Sequence, residues 1–237
     1  MVVKKIEFEK LIIERVILEA RYTNGYLYWD NCGRIWKTVF EKWPSFKEME
    51  LSPQRAVLKM HDEGLELKFD KNSVNINQEY PPSSFKLFKE LSDMIIPLIA
   101  QTFEINSFSR IGNRIFYLYP TDNIDEATAI VKSTGLFNIP TEKIEPFGEK
   151  MIEPKARFRI QNDDIGYTFN LSAISRRIDV SLPKPIKADT SKFISNAVLI
   201  DVDYFTRKPV DLSVLDCGDL IDTIQKNLSY NLIKLFW

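Results

Sequence analysis

Apolar and polar residues alternate along some stretches of this chain and recur every three or four residues along others. The first signal marks strands and the second amphipathic helices. Lys4–Thr23, with "LIIERVILEARY" at its centre, predicts one long strand or a bent pair, because Ile and Val are frequent and partly alternate. Asn24-Gly25 marks a turn, and "YLYWD" reads as more strand. Gly33–Trp43 sets Ile35, Val39 and Phe40 at helical spacing, with Pro44 as a stop. Strands follow over Glu48–Met60, Leu65–Asp70 and Val74–Gln78, joined by the turn stretches "HDEG" and "DKNS". Next comes a clear helix. Phe85, Phe88, Leu91, Ile95 and Leu98 share one side of it, Ser83 or Ser84 stands where a cap is expected, and Pro97 predicts a kink.

The same order of elements then recurs. Phe103–Tyr119 reads as a strand region, and "NIDEATAIVKSTGL" as a helix capped near Asn123 or Asp122. Lys155–Gln161, Tyr167–Leu182 and Asn196–Phe205 read as strands. The final helix starts near Cys217 with the stripe Cys217, Leu220, Ile221, Ile224, Leu228, Leu232 and Leu235, and Asp216 with Asp219 forms an acidic cap. The expected fold class is therefore α+β, with two similar halves at 1–101 and 102–237. Each half would be a mostly antiparallel sheet with helices on one face, in a split β-α-β-like arrangement. Residues 136–154 form a long loop with little periodicity. It reads as a surface excursion packed by Phe137, Ile144 and Phe147, although loops of this length are often functional.

Strand parity sorts the charged residues of the second half. Val198, Ile200, Val202 and Tyr204 share one face of their strand, and Asp201, Asp203 and Phe205 share the other. In "SRIGNRIFYLY", Ile111, Ile115, Tyr117 and Tyr119 oppose Arg110, Gly112, Arg114 and Phe116. In "KARFRIQ", Ala156, Phe158 and Ile160 oppose Lys155, Arg157 and Arg159. Tyr167, Phe169, Leu171 and Ala173 alternate at odd positions, while Ile178, Val180 and Leu182 are even. The phase breaks at "ISRR", which presents Arg176 and Arg177. One polar face is thus expected to carry the basic residues together with Asp201 and Asp203. A D-x-D pair on one strand face is able to hold a hard cation, its carboxylates roughly 7 Å apart. With five basic residues on the same face, ion pairing is the more economical expectation, chiefly Asp201 and Asp203 with Arg110 and Arg114.

Composition narrows the chemistry. The 237 residues carry a formal net charge of -1, so no global field draws in nucleic acid or an acidic membrane. The longest uncharged apolar run, Met94–Ala100, is far too short to span a bilayer. The opening "MVVKKIEFEK" has no apolar stretch after its lysines, so no secretory signal is expected and the reading is cytoplasmic. Cys32 and Cys217 lie far apart and read as free, buried thiols. A single histidine, His61, sits in a predicted turn, so the usual zinc spacings and a serine–histidine triad lack their parts. Phosphate-loop and dinucleotide fingerprints are absent from the sequence. No metal and no cofactor is expected.

At "RIGNRIFY" and "LIDVDYF" the chain resembles a sporadically distributed conserved hypothetical family of bacteria and archaea, itself uncharacterised. Its members show an amphipathic helix, a strand reading roughly Arg-Ile-Gly-Leu-Arg-Tyr-Ile-Asn, and later Leu-Asp-Ile-Asp-Val-Tyr before a final helix. Arg110, Ile111, Gly112 and Arg114 match the first motif, and Asp201 and Asp203 match the second. Asn113, Ile115, Phe116 and Tyr117 depart from the first motif. The resemblance lies mainly in the second half and implies that the Arg-rich and Asp-rich strands belong together. The sporadic distribution implies an accessory role in a mobile gene module, such as defence or toxin control.

These observations lead to a non-enzymatic, cytoplasmic binding or scaffold protein that engages a protein partner through the second-half sheet face or the long loop. The alternative is a single-stranded RNA- or DNA-binding protein using Arg110, Arg114, Lys155, Arg157, Arg159, Arg176 and Arg177, since basic residues with Phe116 and Phe205 on an open sheet resemble a nucleic-acid platform. A metal-dependent enzyme using Asp201 and Asp203 is the third reading.

Overall fold

The computed structural model describes residues 6–23, 25–82, 84–136, 139–148, 151–176 and 196–236. Strand β1 (Ile12–Arg21) leads to helix α1 (Tyr28–Lys42), then to strands β2 (Lys47–Leu51), β3 (Ala56–Met60), β4 (Leu65–Phe69) and β5 (Ser73–Glu79), then to helix α2 (Lys86–Thr102). After the two-residue β6 (Ser107–Phe108) come β7 (Arg110–Pro120), α3 (Ile124–Ser133) and the short α4 (Thr141–Ile144). The chain closes with β8 (Lys155–Gln161), β9 (Ile165–Ser175), β10 (Asn196–Thr206), β11 (Val210–Asp211) and α5 (Cys217–Phe236).

The chain is mixed α+β with a large antiparallel sheet. The strands of both halves join in one nine-stranded sheet, ordered β2-β3-β4-β5-β1-β7-β10-β9-β8, while β6 and β11 pair separately. Both halves run the same course. The first strand leads into a helix, the chain crosses to an outer edge, and a meander returns to lie beside the first strand. Thus β5 pairs with β1, and β10 pairs with β7. The returning strands split the strand before the helix from the strand after it. The pairing of β1 with β7 fuses the halves at the centre of the sheet.

One face of the sheet is apolar along whole cross-strand rows. Leu18, Ile76, Leu67 and Leu58 lie side by side, as do Val16, Ile115, Val202 and Phe169, and all are buried. Helices α2 and α3 pack on this sheet, and α2 also touches α1 and α5. The stripe of α5 is inside: Cys217, Ile221, Ile224, Leu228, Leu232 and Phe236 are buried. Asp216 caps that helix by accepting from the Asp219 N–H at 2.8 Å, and Asp93 accepts from the Gly218 N–H at 2.9 Å. In α3, Asn123 caps through the Glu126 N–H at 2.9 Å, and the Glu126 side chain reaches back to the Asp122 N–H at 2.9 Å. Among the described residues, no helix is long and apolar enough to cross a membrane.

Several local expectations are corrected. "YLYWD" is not strand, because α1 already begins at Tyr28. The Tyr28 hydroxyl donates to the Ser52 carbonyl at 2.8 Å, and its ring meets Phe69 and Phe103 edge-on, so packing overrides the β preference of the tyrosines. Glu48–Met60 is two strands separated by a turn. Helix α2 has no side-chain cap: the cap position is Phe85, held in the left-handed region (φ 49°) with its ring fully buried. Of the two serines expected as caps, Ser84 precedes Phe85 and is not the cap residue, and Ser83 lies outside the described residues. Phe147 does not pack the long loop but is 92% exposed, whereas Ile144 is half-buried; Phe137 lies outside the described residues. Cys217 is buried and Cys32 is half-buried, both as free thiols. Of the strand expected over Tyr167–Leu182, β9 runs to Ser175 in unbroken register with β10, and the part of the expected phase break at "ISRR" from Arg177 onward lies outside the described residues.

Candidate interaction face

Sheet register places the charged residues opposite the helices. Across β1, β7, β10, β9 and β8, one row reads Ile17, Arg114, Asp203, Thr168 and Arg159, and the next reads Arg15, Phe116, Asp201, Asn170 and Arg157. The strand carrying Arg110 and Arg114 and the strand carrying Asp201 and Asp203 are therefore neighbours. Because β1 belongs to the same sheet, the described part of the first half lies beside this face and does not cover it. It extends the face, adding Glu19, Arg15 and Arg21 to the charged set.

Pairing runs along diagonals. Arg114 is in register with Asp203, yet its guanidinium forks onto Asp201, with Nε–Oδ1 and Nη2–Oδ2 both 2.7 Å. Asn170 Nδ2 donates to the same carboxylate at 2.7 Å. Asp201 is 5% exposed, so these bonds replace the water it has lost. Arg110 bridges Asp203 at 3.1 Å and Glu19 at 3.1 Å, and Glu19 also takes the Arg21 Nε–H at 2.6 Å. Hydrogen bonding to Asp201 raises the pKa of Arg114. Burial pushes the Asp203 carboxyl above the ordinary carboxylate range, while Arg110 and Arg114 pull it back and Asp201 and Glu19 add to the rise.

Two glycines make this geometry possible. Phe205 stands in register with Gly112 on one side and Gly166 on the other. A Cβ on Gly166 would lie 2.4 Å from Phe205 Cζ, so the ring rests on bare backbone. A Cβ on Gly112 would lie 3.5 Å from Arg110 Cζ, where the guanidinium lies down between Glu19 and Asp203. Arg110 and Arg159 both sit over the Phe205 ring, at 4.9 and 5.1 Å, and Arg114 sits over Phe116 at 4.7 Å. A hollow of about 210 Å³ remains above Gly112, bordered by Glu19, Arg110, Arg114 and Asp203.

The expected site residues thus separate. Arg110 and Arg114 are engaged by carboxylates inside the face. Arg176 is engaged as well, through both oxygens of Glu14, and is not a free turn residue. Arg177 lies outside the described residues. Lys155, Arg157 and Arg159 are exposed on the outermost strand, with no carboxylate in ion-pair range among the described residues. Among those residues, no group of three or more His, Cys, Asp or Glu is placed to hold a metal ion.

Sequence reasoning missed Glu19, Asn170 and Gly166. Glu19 alternates correctly within its own strand, but nothing local shows that β1 adjoins β7. Gly166 stands alone inside a strand pattern, a signal of close approach by another group that was open to notice. Comparison with protein-family models, curated proteins and solved structures finds no match to this chain.

Proposed function

We propose that the chain is a non-enzymatic, cytoplasmic binding protein whose second-half sheet face engages a protein partner. The observation that supports this reading is the division of labour on that face. The inner arginines are bound by Asp201, Asp203, Glu19 and Glu14, whereas Lys155, Arg157 and Arg159 stand exposed on β8 with no carboxylate in ion-pair range among the described residues. The inner ion pairs set the shape, and the basic strip at the rim offers unused charge to a partner. An accessory role in a defence or toxin-control module is compatible with this reading. The interleaved carboxylates disfavour a continuous phosphate track, so nucleic acid is the second reading, resting on the same three residues.

The test is affinity purification from the native cell, with the captured protein identified, produced separately and remixed. A purified partner that binds the wild type, and binds the Lys155→Glu/Arg157→Glu/Arg159→Glu variant at least tenfold more weakly, supports the proposal. Captured material that is nuclease-sensitive, or a partner indifferent to the three substitutions, overturns it.

A further inference from the structure

β8 is the last strand of the sheet, and among the described residues nothing pairs with its outer edge. It runs for seven residues, Lys155–Gln161, so an extended segment of similar length has a row of backbone donors and acceptors to meet. Its two faces differ. Toward the open side it presents Lys155, Arg157 and Arg159. Toward the helices it presents Ile160, 48% exposed, beside a groove of about 500 Å³ between the sheet and α5. Tyr167, Phe169, Leu228, Leu232 and Leu235 line that groove.

Resting on the binding role proposed above, we infer that β8 accepts a strand from a partner protein in which acidic and apolar residues alternate. Side chains of an added strand point alternately to the two faces. Acidic ones fall over Lys155, Arg157 and Arg159, and apolar ones fall beside Ile160 at the mouth of the groove. The charges disfavour a second copy of this chain, because two antiparallel β8 strands would set arginine and lysine against each other. The aromatics disfavour single-stranded nucleic acid. Phe205 is 8% exposed beneath Arg110 and Arg159, and Phe158 stacks on Phe169 at 5.3 Å, so neither ring near the strip is open for a base. Charged edges also guard against aggregation, and that bland role makes no demand for alternation in a ligand.

A displayed library of random dodecapeptides, selected on the whole protein, tests the inference. Enriched sequences are expected to alternate Asp or Glu with Val, Ile, Leu or Phe. A synthetic copy of the leading peptide should lose at least tenfold affinity, read by fluorescence anisotropy, toward Arg157→Glu/Arg159→Glu. It should lose as much when alternate backbone nitrogens are methylated. As the fold control, the variant's circular dichroism should match the wild type, and its melting temperature should fall no further than that of Arg159→Ala, which alone removes the contact with Phe205. In the free protein, the outward amides of β8 should exchange rapidly with deuterium. Enrichment without alternation, no enrichment, indifference to N-methylation, tighter binding of a thymidine oligonucleotide, or β8 amides already protected in the free protein each overturn the inference. Charge-dependent capture of a native partner, with indifference to N-methylation, leaves the binding role standing and removes only the strand.

Discussion

Arg114 faces Asp203 in the strand register but binds Asp201, one pair further along, through two 2.7 Å hydrogen bonds. This diagonal leaves Asp203 for Arg110, which reaches it across Gly112. The two motifs therefore interlock diagonally, Arg114 spanning to the next rung of the polar face and Arg110 spanning two, past the Gly112–Phe205 rung.

Removing Arg114 strands a carboxylate that is only 6% exposed at its side chain. Arg114→Ala is expected to cost roughly 2–4 kcal/mol, below the range for a fully buried pair because the arginine side chain is 43% exposed. A double-mutant cycle with Asp201→Ala, followed by denaturant unfolding, checks this. The double variant should recover part of the loss. Strict additivity would mean the bonds contribute nothing specific.

The glycines differ in tolerance. Gly166→Ala drives a Cβ into the Phe205 ring at 2.4 Å, whereas Gly112→Ala meets the Tyr204 carbonyl at 3.3 Å and the movable Arg110 at 3.5 Å. Gly166→Ala should cost about 1–3 kcal/mol, and Gly112→Ala should cost less. Paired unfolding midpoints decide the order, and the reverse ranking would contradict the packing described.

Cys217 opens α5 with its thiol pushed up to about 12 by burial, with Asp93 and Asp216 adding to the rise. At neutral pH it should resist iodoacetamide in the native state and react once the chain unfolds. The native state favours the neutral thiol, so its contribution is intact below the ordinary value near 9.0 and is lost as pH climbs from there toward about 12. Stability of the wild type should accordingly fall over that range more steeply than that of Cys217→Ser, measured by denaturant titration at stepped pH.

Ile224 is 1% exposed at the centre of the α5 stripe. Ile224→Ala should cost about 2–5 kcal/mol through the cavity it leaves. A thermal melt within error of the wild type would remove α5 from the core.

The sequence made parts of this readable for physical reasons. Period-two alternation around Asp201 and Arg114 placed the charges on one face, because side-chain direction along a strand is local information. Which carboxylate meets which arginine was not readable, since parity does not set the lean of a long side chain. Glu19 was invisible as a partner of Arg110 because the two lie far apart in the chain and join only through the pairing of β1 with β7. Tyr28 was misread as strand from its residue type, although Tyr28, Cys32, Ile35 and Val39 already carry helical spacing. The long final helix was legible throughout, its stripe being continuous.

The central claim is that the inner arginines hold the face together while the β8 residues serve a partner. The most direct measurement sets Arg114→Ala beside Arg157→Glu/Arg159→Glu in one unfolding experiment and one binding titration with the purified native partner. The account predicts lower stability for the first variant. For the second it predicts a stability loss no larger than that of the Arg159–Phe205 contact, about 1 kcal/mol, with at least a tenfold loss of affinity. A destabilised β8 variant that still binds the partner normally, beside an Arg114→Ala protein of wild-type stability, would contradict it.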